Sequence, residues 1–506
     1  MSIKQYIVFC ISLLALYIAV SCQKDIGNYS YNEMNALDTV YNLPKEVVAK
    51  VGKPLEIKTD PKFALDPEFK QENYSFRWYY IGLNEKKVTT FLTLSTEKDL
   101  KLPNMGLAAG NYEFFYAITD KNTGVTYTQR FKLKVENEIN EGWIMMNEAN
   151  GVARVDMLVL NSQGGFDLYN NLLSLTGSEL KLEGKPVMTY NYSTGLLIGP
   201  DQISFGLYLG TDKRTTKVEP NTFKWTYTMD LTYEMFGNIP PNFYAEVIRQ
   251  KNGGASYMLG NENLYFYERA RQIVYSAPLN YISEEKKSFA LAPFIATDQM
   301  NSVSPAFLYD KTNRRFVKNM NGSTTCITIP DPTDKLFSFS TGMDVMHMRW
   351  MAFNGGEIFS VLKDPNSSKK YLARFNATSH DQTYYSEIIG TDIANAERFA
   401  FSPEFGYVFY TVGGKLYEYD MVYKTSKLML DLGGQKISYL DFYEFKKTTK
   451  YKDSNKLMVG SYDPSKSDGT EGRLDIYTVP SLNDDLILDQ NYSGFGRIKS
   501  LTYRER

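Results

Sequence analysis

The sequence predicts an all-β protein: an antiparallel β-sandwich followed by a β-propeller of about seven blades. Three observations carry this. First, Lys436–Glu444 (KISYLDFYE) is repeated at the C-terminal end as Arg497–Glu505 (RIKSLTYRE). The first copy is followed by two strand-like runs, Lys456–Tyr462 and Gly472–Val479, whereas the second copy has nothing after it. Its missing continuation resembles Gly142–Met146 and Val152–Leu160, far upstream. A last repeat split between two ends is what a closed ring requires, because closure removes the unpaired edges of an open array of sheets. Second, hairpins recur, with Gly413-Gly414 and Gly355-Gly356 between alternating runs. Glycine takes positive φ in such tight turns without a Cβ penalty. Third, aromatic residues make up 14% of the chain, mostly Tyr and Phe, which favour strands, and no capped 3.6-residue periodicity interrupts them.

The 506 residues suit two domains, or one domain and a repeat array. Hydrophobic residues at 43% and charged residues at 23% are those of a folded soluble chain. A net charge of -2 provides no basic field for nucleic acid or anionic lipid. Of three cysteines, Cys10 and Cys22 fall near the N-terminus, which leaves Cys326 alone in the body and no internal disulfide framework.

Residues 1–21 read as a lipoprotein signal peptide. The apolar run Ile7–Val20 follows Lys4 and is shorter than the roughly 20 residues that cross a bilayer. It ends in Ala19-Val20-Ser21-Cys22, which resembles a bacterial lipobox with Ala19 in the usual Leu position. Cys22 is therefore the expected site of lipidation. Burial of acyl CH₂ groups, at about 0.8 kcal/mol each, would hold the chain in the outer membrane. Gln23-Lys24-Asp25 resembles the short charged export signal of Bacteroidetes-type surface lipoproteins, which implies display to the cell exterior.

Residues 22–140 comprise a short polar tether and the sandwich. Strands are expected at Glu46–Val51, Leu55–Lys58, Tyr74–Tyr80, Gly110–Thr119 and Val125–Val135, with turn residues between them. Trp78 is the natural core residue of a middle strand, and Tyr112 occupies a corner position. A ligand-stacking pair is the alternative role for these two. Asp25–Glu33 (DIGNYSYNE), the Tyr-rich strand around Trp78, Gly110-Asn111-Tyr112, Thr119–Gly124 and Gly142-Trp143 together resemble the PKD-like family of Bacteroidetes lipoproteins. That resemblance implies an Ig/PKD-like module followed by a propeller-like one. It also implies a setting beside a SusC/SusD-type outer-membrane uptake pair, and no catalytic residues. Asp38-Thr39-Val40 looks like an O-glycosylation acceptor of that bacterial group.

Residues 141–506 form the predicted propeller, its C-terminal strand paired with the start of the region. Further hairpins are expected around Gly260-Asn261-Glu262 and between Ser304–Asp310 and Arg315–Lys318, with outer strands at Gln272–Ser276, Tyr371–Phe375 and Thr425–Leu430. Equivalent positions recur at about 40 to 60 residues, the range of four-stranded blades. Gly177–Trp225 shows no legible repeat.

Few residues suggest chemistry. Histidine occurs only as His347 and His380, without zinc spacing, so neither a metal site nor a cofactor is expected. Cys326, in an apolar strand (TTCITI), is expected to be a buried inert thiol. Asp463–Gly469 is oxygen-rich but lacks EF-hand spacing. Asp201, Asp298, Asp344 and Glu357 are candidate carboxylates for glycoside hydrolysis, which needs only two acids brought from distant strands. Trp225 and Trp350 are the candidate ligand-binding anchors, core packing being the other role open to them. The expected function is that of a non-catalytic surface lipoprotein that binds a glycan or oligopeptide as an accessory of a SusC/SusD-type importer. The alternatives are a surface glycan-degrading enzyme using carboxylates on the propeller axis and a purely structural subunit of the importer complex.

Overall fold

The computed structural model describes residues 34–505 except 85, 87, 108, 137, 138, 162 and 196–202. Cys22 and the signal peptide lie outside the described residues, as does Asp201. The described residues form two compact units. One draws on the described residues up to Lys45, with Glu56–Leu100 and Glu113–Phe131, the other on Glu46–Leu55, Lys101–Tyr112 and the described residues from Lys132 onward.

Before residue 137 the strands belong to three sheets. The largest has five strands in the order Glu46–Lys50, Thr126–Glu136, Gly110–Asp120, Tyr74–Leu83, Thr89–Ser95. In Tyr74–Leu83 the alternation acts as read: Tyr74, Phe76 and Trp78 are buried, while Ser75 and Arg77 face water. Trp78 is fully buried, stacks on Tyr116 at 4.2 Å and donates from Nε1 to Glu97 O at 2.9 Å. It is a core residue, and its stacking partner is Tyr116. The sandwich departs from the antiparallel expectation at one edge, where Glu46–Lys50 runs parallel to Lys132–Glu136. Thr39 of the glycosylation-like triplet lies half-buried in a strand paired with Lys62.

From Gly142 onward the strands form seven sheets among the described residues. Sheet one consists of Gly142–Ala149, Val152–Leu160 and Phe166–Tyr169 together with Arg497–Arg504. The split repeat is thus a real pairing: Trp143 is opposite Tyr503 and Met145 opposite Leu501 in antiparallel register. Gly142 must be glycine, since at φ 147 a Cβ would lie 1.9 Å from Leu158 O. Sheets two to four begin at Pro186, Val247 and Tyr281; sheets five to seven are Asp344–Glu387, Arg398–Asp431 and Lys436–Phe495.

Shared apolar clusters join each sheet from the second onward to the next. Tyr190 and Tyr208 of sheet two pack with Met258 and Tyr265 of sheet three. Leu259 and Phe266 pack with Leu308 and Val317 of sheet four, and Phe307 and Phe316 with Ile358 and Phe375 of sheet five. Phe359 and Leu372 pack with Phe399 and Tyr410 of sheet six, then Phe409 and Leu416 with Leu457 and Val459 of sheet seven. Met458 and Leu474 return to Trp143 and Leu501 of sheet one. Sheets one and two are joined by hydrogen bonds, Asn191 Nδ2 donating to Thr502 Oγ1 at 2.7 Å and to Tyr503 O at 3.0 Å. Arg504 is fully buried and donates to the carbonyls of Ile139, Asn140 and Pro220.

The sheets are less regular than expected. Sheets one, five, six and seven have four strands, whereas sheets two and three have three and sheet four has five. Beyond the three strands of sheets two and three, pairing shrinks to single bridges, Thr216 with Asp230 and Glu268 with Ile273, so Gln272–Ser276 is not a strand. The Gly-Gly hairpins hold, but for two reasons. Gly413 has φ 59, whereas Gly414 is needed because a Cβ there would lie 2.2 Å from Gln435 O.

One buried group of sheet six makes stability depend on pH. Glu418 is 2% exposed, and neither carboxylate oxygen has a hydrogen-bond partner among the described residues. Burial pushes its pKa up to about 7, with Lys427 opposing and Asp420 adding to the rise. Between about pH 4.5 and 7 the folded chain holds a proton that the unfolded chain has shed, so stability falls as pH rises through that window. Glu418→Gln is expected to stabilise the protein by about 3 kcal/mol at pH 8 and by nothing measurable at pH 4. Urea titrations at the two pH values check this.

Candidate functional site

Strands from opposite parts of the chain converge on one polar cavity of about 200 Å³. Sheet one contributes Lys499–Leu501, sheet two Val187–Tyr190, sheet three Ile248 and Arg249, sheet five Arg349, and sheet seven Tyr439, Asp441 and Phe442. Gln299, from the segment between two strands of sheet four, completes the wall. A cavity touched by strands of five sheets lies where those sheets meet. Its neighbour, of about 420 Å³, is lined by Asp298, Met300, Trp350, Phe445 and Tyr451 among others. The two share Arg349, Phe442, Tyr443 and Glu444 as a common wall.

The polar groups here are tied into one network. Arg349 pairs with Asp441 and donates from Nη2 to Phe442 O at 2.6 Å. Gln299 donates from Nε2 to Glu444 Oε2 at 2.6 Å and accepts from the Tyr190 hydroxyl at 2.6 Å. Tyr190 in turn accepts from Gln250 N at 3.0 Å. Lys446 Nζ donates to Gln250 Oε1 at 2.6 Å and lies 4.9 Å from the centre of the Tyr190 ring. Burial raises the pKa of Glu444 above the usual carboxylate range; Asp298 adds to this, and Arg349, Gln299 and Arg249 oppose it. Burial likewise lowers the Lys446 ammonium and raises the Tyr439 and Tyr443 phenols. Such perturbed groups gathered in one cavity mark a candidate site.

The residues singled out in the sequence fare differently. Trp350 lines the larger cavity and packs one side against the cluster between sheets four and five. Trp225 is placed apart from it: its Nε1 donates to Thr216 Oγ1 at 2.8 Å, Arg214 lies over its ring at 5.0 Å, and it lines neither cavity. Asp298 lines the larger cavity. Asp344 is an exposed residue paired with Arg314 at 2.9 Å. Glu357 is buried against Arg374, whose Nη2 donates to it at 2.6 Å, so it serves packing. Cys326 is buried, its thiol pushed up to about 12 by burial. His347 is held between Phe294 and Phe401, and burial pushes its pKa down to about 4, so it is neutral at pH 7. His380 Nε2 lies 3.0 Å from Lys318 Nζ. The Asp463–Gly469 loop satisfies its own carboxylates, Asp463 accepting from Ser465 and Asp468 from Thr470.

Sequence reasoning missed Arg249, Gln299, Arg349, Asp441, Glu444 and Lys446. The available signal was charge inside apolar strands: Arg349 interrupts MHMRWM, and Asp441 interrupts the repeated KISYLDFYE.

The chain is similar over 93% of its length, and over 100% of the other chain, to a quinonprotein alcohol dehydrogenase-like protein from Bacteroides thetaiotaomicron, with a TM-score of 0.53 and 10% identity. That likeness is one of fold. A putative 6-phosphogluconolactonase from Bacteroides uniformis matches 72% of this chain and 100% of its own at TM-score 0.42 and 11% identity. The extracellular domain of a putative one component system from Bacteroides thetaiotaomicron matches 90% and 67% at TM-score 0.37 and 9% identity. Comparison with curated proteins gives no match. The PKD-like family matches residues 22–186, past the expected boundary at 140 and up to the first residue of sheet two. The N-terminal part of this all-β, propeller-like chain is therefore a PKD-like family domain.

Proposed function

We propose that the protein is a non-catalytic surface lipoprotein, anchored in the outer membrane through fatty acids on Cys22, whose seven sheets form a closed seven-bladed propeller that binds a glycan at its centre. In this reading it serves as an accessory of a SusC/SusD-type uptake system, with the sandwich as a stalk. The supporting observation is the pair of adjoining cavities. One is walled by hydrogen-bonding groups at Tyr190, Gln299 and Glu444, the other flanked by Trp350, Phe445 and Tyr451. Amides and hydroxyls suit a hydroxyl-rich ligand, and aromatic faces give rigid contact area at low entropic cost.

Trp350→Ala is expected to weaken glycan binding about tenfold or more, as removal of a buried aromatic anchor does. Titration calorimetry against an oligosaccharide panel measures this. Unchanged affinity would exclude the larger cavity as the glycan site. Pull-down of the lipidated protein in detergent, followed by mass spectrometry, tests the importer association. Recovery of an outer-membrane barrel with no measurable saccharide or peptide affinity would select the purely structural role.

A glycan-degrading activity is the second reading. It is favoured by Glu444, a carboxyl that holds its proton above the usual range, with Asp298 in the same cavity. Release of reducing ends that is abolished by Glu444→Gln would establish that reading in place of the first.

A further inference from the structure

We infer that the ligand of the central cavity is anionic, a saccharide carrying a carboxylate of the hexuronate kind. This rests on the glycan-binding reading above and adds its chemical class. Cations and carboxylates in this cavity are unevenly paired. Four cations, Arg249, Arg349, Lys446 and Lys499, and three carboxylates, Glu246, Asp441 and Glu444, line the cavity. Arg349 is neutralised by Asp441. Burial raises the Glu246 carboxyl above the usual carboxylate range, and Glu444 accepts from the Gln299 amide. Lys446 Nζ reaches neutral oxygens, Gln250 Oε1 at 2.6 Å and Asn191 O at 3.3 Å. Arg249 Nη1 donates to Ile248 O at 3.3 Å, its guanidinium lies 6.0 Å from the Tyr190 ring centre, and it forms no ion pair among the described residues.

A guanidinium half-removed from water without a counter-charge in contact is costly to keep, and an incoming anion relieves the cost. Its planar fork matches a carboxylate through two parallel N–H···O bonds, a match that an ammonium cannot reproduce. Lys499, exposed on the same wall, extends the positive side of the cavity. The remaining wall identifies what carries the charge. The second amide proton of Gln299 and the Ser500 O–H remain to meet ligand hydroxyls, and Trp350 borders the adjoining space where a second sugar ring would stack. A peptide C-terminus would use the guanidinium but leave most of that polar wall unmatched.

The experiment is titration of the full lipidated chain in detergent with trigalacturonate and with neutral galactotriose, using the native protein, Arg249→Gln and Arg249→Lys. The expected result is at least about tenfold tighter binding of the uronate. Arg249→Gln should erase that preference by weakening uronate binding at least about tenfold more than neutral binding, and Arg249→Lys should restore part of it. Thermal unfolding confirms that both variants are folded. Equal affinities for the two trisaccharides, or a preference untouched by Arg249→Gln, would overturn the anionic class while glycan binding stands. Binding of a peptide with a free C-terminal carboxylate, lost on amidation, with no uronate binding, would overturn both. Failure of every probe to bind would also overturn both.

Discussion

A chain ending at Gly496 is expected to lose cooperative folding of its second unit. The deletion removes Ile498, Leu501 and Tyr503, which are 0%, 6% and 2% exposed. At about 1.5–3 kcal/mol for each buried side chain, these alone contribute roughly 6 kcal/mol. The deletion also strips the ladder from Gly142–Ala149 and removes Arg504, the buried donor to the carbonyls of Ile139, Asn140 and Pro220. Total stabilities are about 5–15 kcal/mol, so the loss is of the order of the whole. Urea unfolding followed by near-UV circular dichroism, with limited proteolysis alongside, measures it. A truncated chain with an unchanged midpoint would show that the terminal strand contributes nothing. The milder Leu501→Ala should cost about 2–5 kcal/mol in the full-length protein.

Arg374→Leu is expected to destabilise the protein by about 3–5 kcal/mol. The Arg374 guanidinium donates to Glu357 Oε2 from Nε at 2.9 Å and from Nη2 at 2.6 Å, and it lies over the Phe359 ring at 4.4 Å. Both side chains are nearly inaccessible, at 7% and 1%. Removal of the cation strands a buried carboxylate with Asn354 Nδ2, at 3.3 Å, as its remaining side-chain donor. The double variant Arg374→Leu with Glu357→Met removes both charges, and its cost is expected to fall to about 1 kcal/mol or less. A double-mutant cycle by urea titration separates the two cases. A double variant as damaged as the single one would place the loss in packing against Phe359.

The closure pairing was legible because it is a repeat: Arg497–Glu505 copies Lys436–Glu444, and both are edge strands of their sheets. Hairpins were legible wherever a turn demands particular residues. Asn261 and Glu262 have φ 51 and 62 between paired strands, and Gly355 and Gly356 have φ 79 and 111. Sheet two was not legible, and burial explains why. Phe205–Thr211 and Thr215–Val218 are covered on both faces, so no alternation of polar and apolar residues survives. The site was hidden for another reason. Arg249, Gln299, Arg349 and Glu444 are separated by tens of residues and come together only through ring geometry, which spacing along the chain does not encode. Trp350 was visible as a large aromatic; that it borders a cavity, whereas Trp225 does not, depends on the sheet each occupies.

The hydrogen bond from Tyr503 to Glu141 spans 362 residues. Bringing such remote segments together carries a loop-closure entropy that grows as about 1.5RT ln n, and chains rich in distant pairings fold slowly. Because Gly142 faces Arg504 across the ladder, the two ends of this region are adjacent in space. A circular permutant that joins them with a short linker, and opens instead at Gly433 in the turn between Asp431 and Lys436, would convert the most remote contact into a local one.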